Sequence, residues 1–261
     1  MATLSRGRSW NLMSWRMVKA PVASATCLLT LRTSMRGSDI EASAQARRAF
    51  FVHCSALGLL ALSAGGAAAS SVGTRPPPKV LVVGDSLSAE YGLPRGSGWV
   101  ALLEARLARE RIAATVVNAS ISGDTTSGGR ARLPALLAQH RPSVVVLELG
   151  GNDALRGLPL AQTQANLTAM AQASKAAGAR VLITGMAVPP NYGRQYGDAF
   201  LALFATVAKA EGAALVPFLL AGVADGPDAE AMFQPDRIHP KAEAHPRMLA
   251  NVWPVLRPLL R

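Results

Sequence analysis

One serine and one histidine in this chain have the surroundings that acyl-bond hydrolysis requires. Ser86 comes directly after an apolar run, in the sequence Gly84-Asp85-Ser86. A serine hydroxyl becomes a good nucleophile only when a base removes its proton, and at neutral pH that base is usually histidine. Asp236 precedes His239 by three residues, so its carboxylate can reach Nδ1–H and leave Nε2 facing Ser86. We therefore predict a nucleophile, a base and an orienting acid.

An attacked acyl carbonyl becomes an oxyanion, which needs hydrogen-bond donors that are already in place. The backbone N–H groups of Ser86 and Gly123 and the side-chain amide of Asn152 could supply three. Gly123 suits this position because the missing Cβ lets a carbonyl approach closely. Asp85 and Asp153 are predicted to brace the loops rather than to act as acids. Taken alone, each of these polar clusters could also be a turn or a helix cap.

Two other histidines after residue 70 are expected to be structural. His140 lies before Pro142 at the end of a predicted helix, away from the strand ends where the other polar residues lie. His245 is placed beside Pro246 at the start of the last helix. Only His239 therefore remains as a candidate base.

Apolar runs that resemble buried strands alternate with longer helical patterns after residue 78. The near-continuous apolar character of the runs predicts burial on both faces, as in a parallel sheet. The strand candidates are Lys79–Val83, Ala114–Asn118, Val144–Leu149, Arg180–Thr184 and Ala214–Val216. The helix candidates are Trp99–Arg111, Gly129–Gln139, Leu160–Ala177 and Gly197–Glu211. A last helix is expected from about Ala244, with Pro254 bending or shortening it.

Five such units predict a three-layer α/β/α sandwich around a five-stranded, mostly parallel sheet. Sheets of this kind bind ligands beyond the carboxyl ends of their strands. The candidate residues Ser86, Gly123 and Asn152 follow the first three strands, and Asp236 and His239 come after the fifth. All five are therefore expected at one edge of the sheet, in one crevice.

The N-terminal part has the composition of an export signal. Arg47-Arg48 precede an uncharged apolar stretch that ends in small residues, with Ala67-Ala68-Ala69 as a plausible cleavage site. The arginine pair also loosely fits a twin-arginine signal, and Met35 is an alternative start. We predict an extension and signal peptide over residues 1–69, the signal itself at about 35–69. A periplasmic or secreted protein would result.

Residues 70–78 are predicted to be a Pro-rich lead-in to one domain over residues 79–261. The net charge is +11, but eight of the 27 basic residues lie before residue 70, and the later arginines lack interleaved aromatics. Nucleic-acid binding is therefore not expected. Both cysteines, Cys27 and Cys54, precede the proposed cleavage, which excludes disulfides and thiolate chemistry in the exported domain. The apolar stretch is too short and Gly/Ala-rich for a lasting membrane anchor.

Four stretches of the chain resemble the signature blocks of the SGNH (GDSL) hydrolase family. They are GDSLS at 84–88, SISGDTTSGG at 120–129, GGND at 150–153 and DRIHP at 236–240. Longer stretches, among them AEYGLP, RLPALLAQHRP and PPNYG, resemble the bacterial thioesterase I/lysophospholipase/arylesterase branch. The resemblance implies a flavodoxin-like fold, Ser86 as nucleophile, Gly123 and Asn152 completing the oxyanion hole, and Asp236 with His239 completing the triad.

The same resemblance implies a serine hydrolase that needs no metal and no other cofactor. Its expected substrates are aryl esters, short- to medium-chain acyl esters, lysophospholipids and acyl-CoA thioesters. Substrate contacts are predicted from two apolar loops, through Leu155 and Leu158 on one and Pro190 and Tyr192 on the other. A monomer is the expected state.

Two alternatives and one departure stay open at this stage. A carbohydrate O-deacetylase of the same superfamily would share the fold, although exposed aromatics for a sugar are not evident. A non-catalytic binding module is the second alternative. The departure is Arg237, which stands where the family usually has glycine. It could favour an anionic headgroup or simply point into water.

Overall fold

Short runs of valine, leucine and isoleucine form a sheet in residues 76–261, the part of the chain that the computed structural model describes. Its strands are β1 (Lys79–Gly84), β2 (Thr115–Asn118), β3 (Val144–Glu148), β4 (Arg180–Thr184) and β5 (Ala214–Val216). They lie in the order β2-β1-β3-β4-β5, and each neighbouring pair is parallel. The predicted α/β class is confirmed, with a sheet that is parallel throughout rather than mostly parallel.

Helices cover both faces of this sheet. They are α1 (Trp99–Arg109), α2 (Thr126–His140), α3 (Gly151–Leu155), α4 (Leu160–Ala176), α5 (Arg194–Glu211) and α6 (His245–Leu256). Helix α1 packs against α6, whereas α4 packs between α2 and α5. Right-handed crossovers place these two groups on opposite faces, which gives the three predicted layers.

Several element boundaries differ from the sequence-based prediction, each for a local reason. Helix α2 begins three residues before Gly129, because Thr125 caps it and accepts a hydrogen bond from the Gly128 N–H at 3.3 Å. The short helix α3 was not predicted, since a five-residue helix leaves no apolar periodicity. Pro254 is tolerated inside α6, which ends two residues later and continues as a 3₁₀ turn over Arg257–Leu260. The predicted signal peptide lies outside the described residues.

The central strands are buried on both faces, as their apolar sequences predict. Every residue of β3 is buried, and so is β1 after Lys79, whereas the edge strand β2 is partly exposed. Burial of aliphatic side chains contributes about 1.5–3 kcal/mol each, so these strands form a rigid base. The loops that follow them are held at fixed positions as a result. Within residues 76–261, none of the helices has both the length and the apolar character needed to cross a membrane.

Gly84, the last residue of β1, has no room for a side chain. A Cβ there would lie 2.6 Å from Glu148 Oε2 and 2.9 Å from Ser88 Oγ, and both of these groups are buried. We expect Gly84→Ala to lower the free energy of unfolding by about 2 kcal/mol or more, because it overpacks the site and disturbs a buried hydrogen bond. Guanidinium denaturation of the purified variant would measure this.

Gly197 in α5 offers the matched control. A Cβ added there would meet only Val188 Cγ2 at 3.6 Å, an ordinary contact distance. Gly197→Ala should raise the free energy of unfolding by about 0.5–1 kcal/mol, since alanine loses less backbone entropy in a helix. If Gly84→Ala and Gly197→Ala changed the free energy of unfolding equally, the conclusion that Gly84 has no room for a side chain would be wrong.

His245 is a structural residue that links helices α1 and α6, which lie on the same face of the sheet. It is buried, and its Nδ1 accepts a hydrogen bond from the backbone N–H of Trp99, the first residue of α1, at 3.0 Å. Burial lowers the pKa of His245, although the Pro240 carbonyl and the charge of Glu90 act in the opposite direction. The imidazole is therefore neutral in the folded protein at neutral pH.

This histidine predicts a loss of stability in acid. Because its pKa is lower in the folded state, the unfolded chain takes up the proton first as the pH falls below about 6.5. Its contribution to stability is thus present above that pH and lost below it. His245→Asn keeps an acceptor for the Trp99 N–H but cannot titrate in this range. The free energy of unfolding should fall more between pH 8 and pH 5 in the parent than in this variant; parallel curves would contradict the prediction.

Candidate active site

Ser86 and His239 are 153 residues apart in the chain, yet their side chains are in contact. Ser86 Oγ lies 2.9 Å from His239 Nε2, and His239 Nδ1 lies 2.6 Å from Asp236 Oδ2. Ser86 belongs to the turn after β1, and the other two belong to the segment between β5 and α6. In this geometry the hydroxyl proton can pass to Nε2 while the carboxylate holds the opposite ring nitrogen.

Asp236 also folds the segment that carries the histidine. Its Oδ1 accepts hydrogen bonds from the backbone N–H groups of Ile238 at 2.9 Å and His239 at 3.0 Å. Partial burial opposes ionisation, but the backbone and ring hydrogen bonds of His239 and the N–H of Ile238 together hold the pKa of Asp236 below its ordinary value. The carboxylate is therefore ionised and accepts hydrogen bonds on both oxygens, which fixes the ring orientation locally.

Arg237 has an unusual backbone conformation for a residue with a side chain. Its φ of 58° lies in the left-handed region, where glycine is favoured, which accounts for the glycine usual at this place in the SGNH pattern. Its guanidinium lies 3.0 Å from Glu230 Oε1, and both side chains are about half exposed. Arg237 thus makes a surface ion pair with Glu230. Because Glu230 partly neutralises the guanidinium, Arg237 attracts a substrate anion less strongly than an unpaired arginine would.

The three predicted oxyanion donors lie in the loops after β1, β2 and β3. Within residues 76–261, the backbone N–H groups of Ser86 and Gly123 donate to no protein acceptor. Gly123 has a φ of 79°, and its carbonyl accepts a hydrogen bond from Arg156 Nη2 at 2.7 Å. Asn152 Nδ2 donates one hydrogen bond to Asp85 Oδ2 at 3.1 Å, which leaves its second N–H available. These loops can therefore offer donors to a ligand.

Comparison with known proteins places this geometry in a family. Residues 82–247 match the GDSL-like Lipase/Acylhydrolase family. Esterase TesA of Pseudomonas aeruginosa is 57% identical over 181 residues, 69% of this chain and 89% of that protein. Thioesterase 1/protease 1/lysophospholipase L1 of Escherichia coli K12 is 43% identical over 69% of this chain and 84% of that protein. A crystal structure of TesA, 56% identical, superposes with a TM-score of 0.67 and covers 70% of this chain and 99% of that one.

The chain belongs to the GDSL-like lipase/acylhydrolase family. It is an enzyme, an esterase of the SGNH type, and the relatives favour this function over the carbohydrate deacetylase and the binding module.

Acidic residues brace the loops of this SGNH esterase. Asp85 is buried, and its Oδ1 accepts the N–H of Leu87 at 3.0 Å. Asp153 accepts hydrogen bonds from the backbone and side chain of Thr126 and from the hydroxyl of Thr163, so it ties α3 to α2 and α4. Both carboxylates thus hold neighbouring segments through hydrogen bonds, and their bracing role stays a prediction.

Glu148, the last residue of β3, was missed by the sequence analysis. Its Oε2 accepts a hydrogen bond from Ser88 Oγ at 2.6 Å and one from the Asp85 N–H at 3.3 Å. Ser88 Oγ in turn accepts the indole N–H of Trp99 at 3.1 Å. Burial, with the charge of Asp85, raises the pKa of Glu148 well above its ordinary value. An acid that ends an otherwise apolar strand, in VVVLE, was the available signal.

Tyr91 is a second residue of the SGNH esterase site that the sequence analysis did not single out. Its ring lies 4.3 Å from the His239 ring, centroid to centroid, and its carbonyl accepts a hydrogen bond from Gln234 Nε2 at 3.0 Å. The loop after β1 is thus joined to the segment that carries the histidine. Its place in AEYGLP, within the stretch that resembles the thioesterase branch, was the available signal.

The four predicted substrate-contact residues lie in the segments that follow β3 and β4. Leu155 ends α3 with 39% of its surface exposed, and Leu158 follows it, partly buried. Tyr192 ends the 3₁₀ turn Pro190–Tyr192, and its ring stacks on Tyr196 at 6.0 Å rather than on the triad. The structure therefore brings Leu155 and Leu158 to the strand ends and gives Tyr192 a protein partner.

Exposed apolar side chains gather around this SGNH esterase site. Five large hydrophobic residues are exposed within residues 76–261, and four of them lie in the segments that follow β1, β2 and β3 or in the segment between β5 and α6 that carries Asp236 and His239. These four, which we name the apolar rim, are Tyr91, Ile121, Leu155 and Ile238. Single exposed hydrophobics are common on proteins, but a group of them in the segments that carry the triad and the oxyanion donors indicates a site for apolar ligands.

Proposed function

We propose that this esterase hydrolyses carboxylic esters and thioesters through an acyl-enzyme on Ser86. The observation that carries the proposal is the 2.9 Å distance between Ser86 Oγ and His239 Nε2, with Asp236 on the opposite ring nitrogen. Nucleophile, base and orienting acid are each in hydrogen-bond reach of the next, as this chemistry needs. The roles named below follow from that contact.

The first half of the reaction acylates the serine. Ser86 Oγ attacks the acyl carbon as its proton moves to His239 Nε2, and Asp236 stabilises the imidazolium that forms. The carbonyl oxygen takes up the negative charge and receives hydrogen bonds from the N–H groups of Ser86 and Gly123 and from the Asn152 amide. The intermediate then collapses. The bond to the alcohol or thiol breaks, and the leaving group takes the proton from His239.

The second half releases the acid. Water occupies the place of the leaving group and gives a proton to His239 Nε2 as its oxygen attacks the acyl carbon. The second tetrahedral intermediate uses the same donors. When it collapses, Ser86 Oγ leaves and recovers its proton from the imidazolium, so the enzyme returns to its starting state.

The substrates we propose have apolar acyl or aryl groups. They include aryl esters, short- to medium-chain acyl esters, lysophospholipids and acyl-CoA. Support comes from the apolar rim and from the relatives whose names are esterase and thioesterase 1/lysophospholipase L1. A sugar substrate would call for aromatic platforms and many polar groups instead. Of the rim, only Tyr91 is aromatic.

We also propose that the enzyme is exported and acts as a monomer in the periplasm or outside the cell. The basic, apolar and small-residue order of residues 35–69 supports cleavage of a signal peptide, which would leave a catalytic domain over residues 79–261. The pair Arg47-Arg48 is consistent with twin-arginine export. N-terminal sequencing of the protein from a periplasmic extract would test this arrangement.

The acyl-enzyme mechanism is tested by covalent labelling. A fluorophosphonate reacts preferentially with an activated serine, so we expect one equivalent to bind and peptide mapping to find it on Ser86. Labelling should stop activity in proportion to the adduct formed. An adduct on another residue, or inactivation without an adduct on Ser86, would refute the assignment.

The substrate class is tested with a panel. Rates on p-nitrophenyl esters from acetate to palmitate, beside a lysophospholipid, an acyl-CoA and an acetylated xylooligosaccharide, compare the candidates directly. We expect kcat/KM to rise with chain length from acetate to the medium chains, because each buried methylene contributes about 0.8 kcal/mol. A preference for the acetylated sugar would favour the deacetylase instead.

A further inference from the structure

Asp85 has one hydrogen-bond donor on each carboxylate oxygen. Oδ1 accepts the backbone N–H of Leu87 at 3.0 Å, and Oδ2 accepts Nδ2 of Asn152 at 3.1 Å. The side chain is only 2% exposed, so water does not replace either partner readily. Because an ionised carboxylate can only accept hydrogen bonds, it requires a donor on both sides.

This requirement determines which way the Asn152 amide faces. Rotating the amide by 180° would exchange Nδ2 with Oδ1 and bring a carbonyl oxygen against Asp85 Oδ2. Two acceptors in contact repel, and in a buried site the repulsion is weakly screened. If Asp85 is protonated, its O–H can instead donate to Oδ1, and the rotated amide becomes favourable. The charge on Asp85 therefore selects the atom that Asn152 presents.

We propose that Asp85 is a positioning residue for the oxyanion hole: ionised, it holds Asn152 with Nδ2 toward the reacting carbonyl, and its protonation turns the amide round and switches this donor off. The proposal rests on the proposed role of Asn152 as an oxyanion donor. It adds an acid-sensitive control, separate from the protonation of His239, to the same site.

The surroundings of Asp85 favour a switch near neutral pH. Burial is the main cause that raises the pKa of Asp85, the hydrogen bonds from Leu87 and Asn152 oppose it, and the charges of Asp124 and Asp153 add to it, which together gives a pKa of about 6. Glu148 at the end of β3 accepts the Asp85 N–H and is the nearest acid of the sheet. The group therefore changes charge within the range in which a histidine-dependent esterase works.

One cation and the proposed catalytic base also lie near this region. Arg132 of α2 pairs with Asp124 at 2.8 Å and donates to the carbonyl of Gly84 at 3.4 Å, so its charge is largely taken up by Asp124. His239 contacts Ser86, which directly follows Asp85 in the sequence. An experiment must therefore separate the effect of Asp85 from that of His239.

The pH dependence of kcat/KM makes this separation without altering Asp85. In the parent enzyme two protonations, of His239 and Asp85, should remove activity in acid, so log kcat/KM falls with a slope of two at low pH. Asn152→Ala should lower kcat about 10²–10³-fold at pH 8. It should also reduce the acid slope to one, because the amide that Asp85 controls is gone. p-Nitrophenyl acetate at the isosbestic wavelength of the product serves as substrate.

A second variant, Asp85→Asn, imitates the protonated state. The amide it introduces has one acceptor oxygen, which the fixed Leu87 N–H takes, and so its NH₂ would face Asn152 and turn that amide round. Asp85→Asn should therefore lower kcat about 10²-fold at pH 8 with little change in KM, and the double variant with Asn152→Ala should be no worse than Asn152→Ala alone. Asp228→Asn, an exposed acid elsewhere, is the matched control and should keep the parent kcat.

The outcomes distinguish this inference from the proposed mechanism. If Asn152→Ala keeps an acid slope of two, or if folded Asp85→Asn keeps the parent kcat, the positioning role is wrong even though Ser86→Ala is inactive. If Ser86→Ala is itself active, the mechanism fails before the switch is considered. Should Asp85→Asn fail to fold, the comparison of slopes between the parent and Asn152→Ala still decides.

Discussion

Ser86→Ala is expected to lower kcat for p-nitrophenyl esters about 10⁶-fold, the scale seen when a hydrolase of this mechanism loses its nucleophile. Ser86 Oγ is the atom that contacts His239 Nε2, and alanine removes it while keeping the backbone N–H that we assign to the oxyanion hole. The partly buried side chain loses only one oxygen, so the free energy of unfolding should change little. Initial rates and guanidinium denaturation measure the two effects.

Ser127→Ala is the matched control for this substitution. Ser127 is an exposed serine in the first turn of α2, and replacing it should change neither the rate nor fluorophosphonate labelling. A folded Ser86→Ala protein that hydrolysed aryl acetates at the parent rate would show that another residue performs the attack.

His239→Ala is expected to lower kcat by a similar factor, again about 10⁶. Without imidazole at 2.9 Å, no neighbouring group removes the Ser86 proton, and Asp236 at 2.6 Å from the lost ring has no proton path to the serine. The loss should appear in kcat rather than KM, because His239 acts in the transition state. Labelling by fluorophosphonate should slow as well.

The double variant provides a sharper test of the pair. Residues that act as a unit are not additive, so Ser86→Ala/His239→Ala should be no slower than either single variant. His140→Ala is the control, since His140 ends α2 next to the start of β3, at the opposite end of the sheet from Ser86. A double variant clearly slower than both single variants would mean that Ser86 and His239 act independently, against the proposed proton transfer.

The fold could be predicted because its strands are short apolar runs that differ clearly from their helices. The five strands were located within one residue at either end, and a parallel sheet has only one edge where their carboxyl ends meet. Two of the candidate residues, Ser86 and Asn152, come shortly after strands β1 and β3, and His239 lies in the segment after β5. The order of the strands alone therefore indicated a common site for these residues. Their mutual distances depend on side-chain packing, which no spacing in the sequence encodes.

The residues that were missed share a different property. Glu148 is a buried acid whose partner Ser88 lies 60 positions away in the sequence. The ring of Tyr91 contacts that of His239, although the two residues lie near opposite ends of the domain sequence. Periodicity reports local structure, so it carries no information about such pairs. Arg237 shows the converse: its sequence position was noted as unusual, but only the backbone φ of 58° gives the reason.

The hydrogen bond between Trp99 and His245 joins residues 146 positions apart, and the Ser86–His239 contact spans 153. Both pairs bring the last stretch of the chain back to the first βα unit. Long-range contacts of this kind are slow to form, because loop-closure entropy is lost before they are gained. In a refolding experiment the far-ultraviolet circular dichroism of the helices should therefore recover before ester hydrolysis does. A nascent chain whose C-terminal helix is still inside the ribosome should therefore not hydrolyse esters.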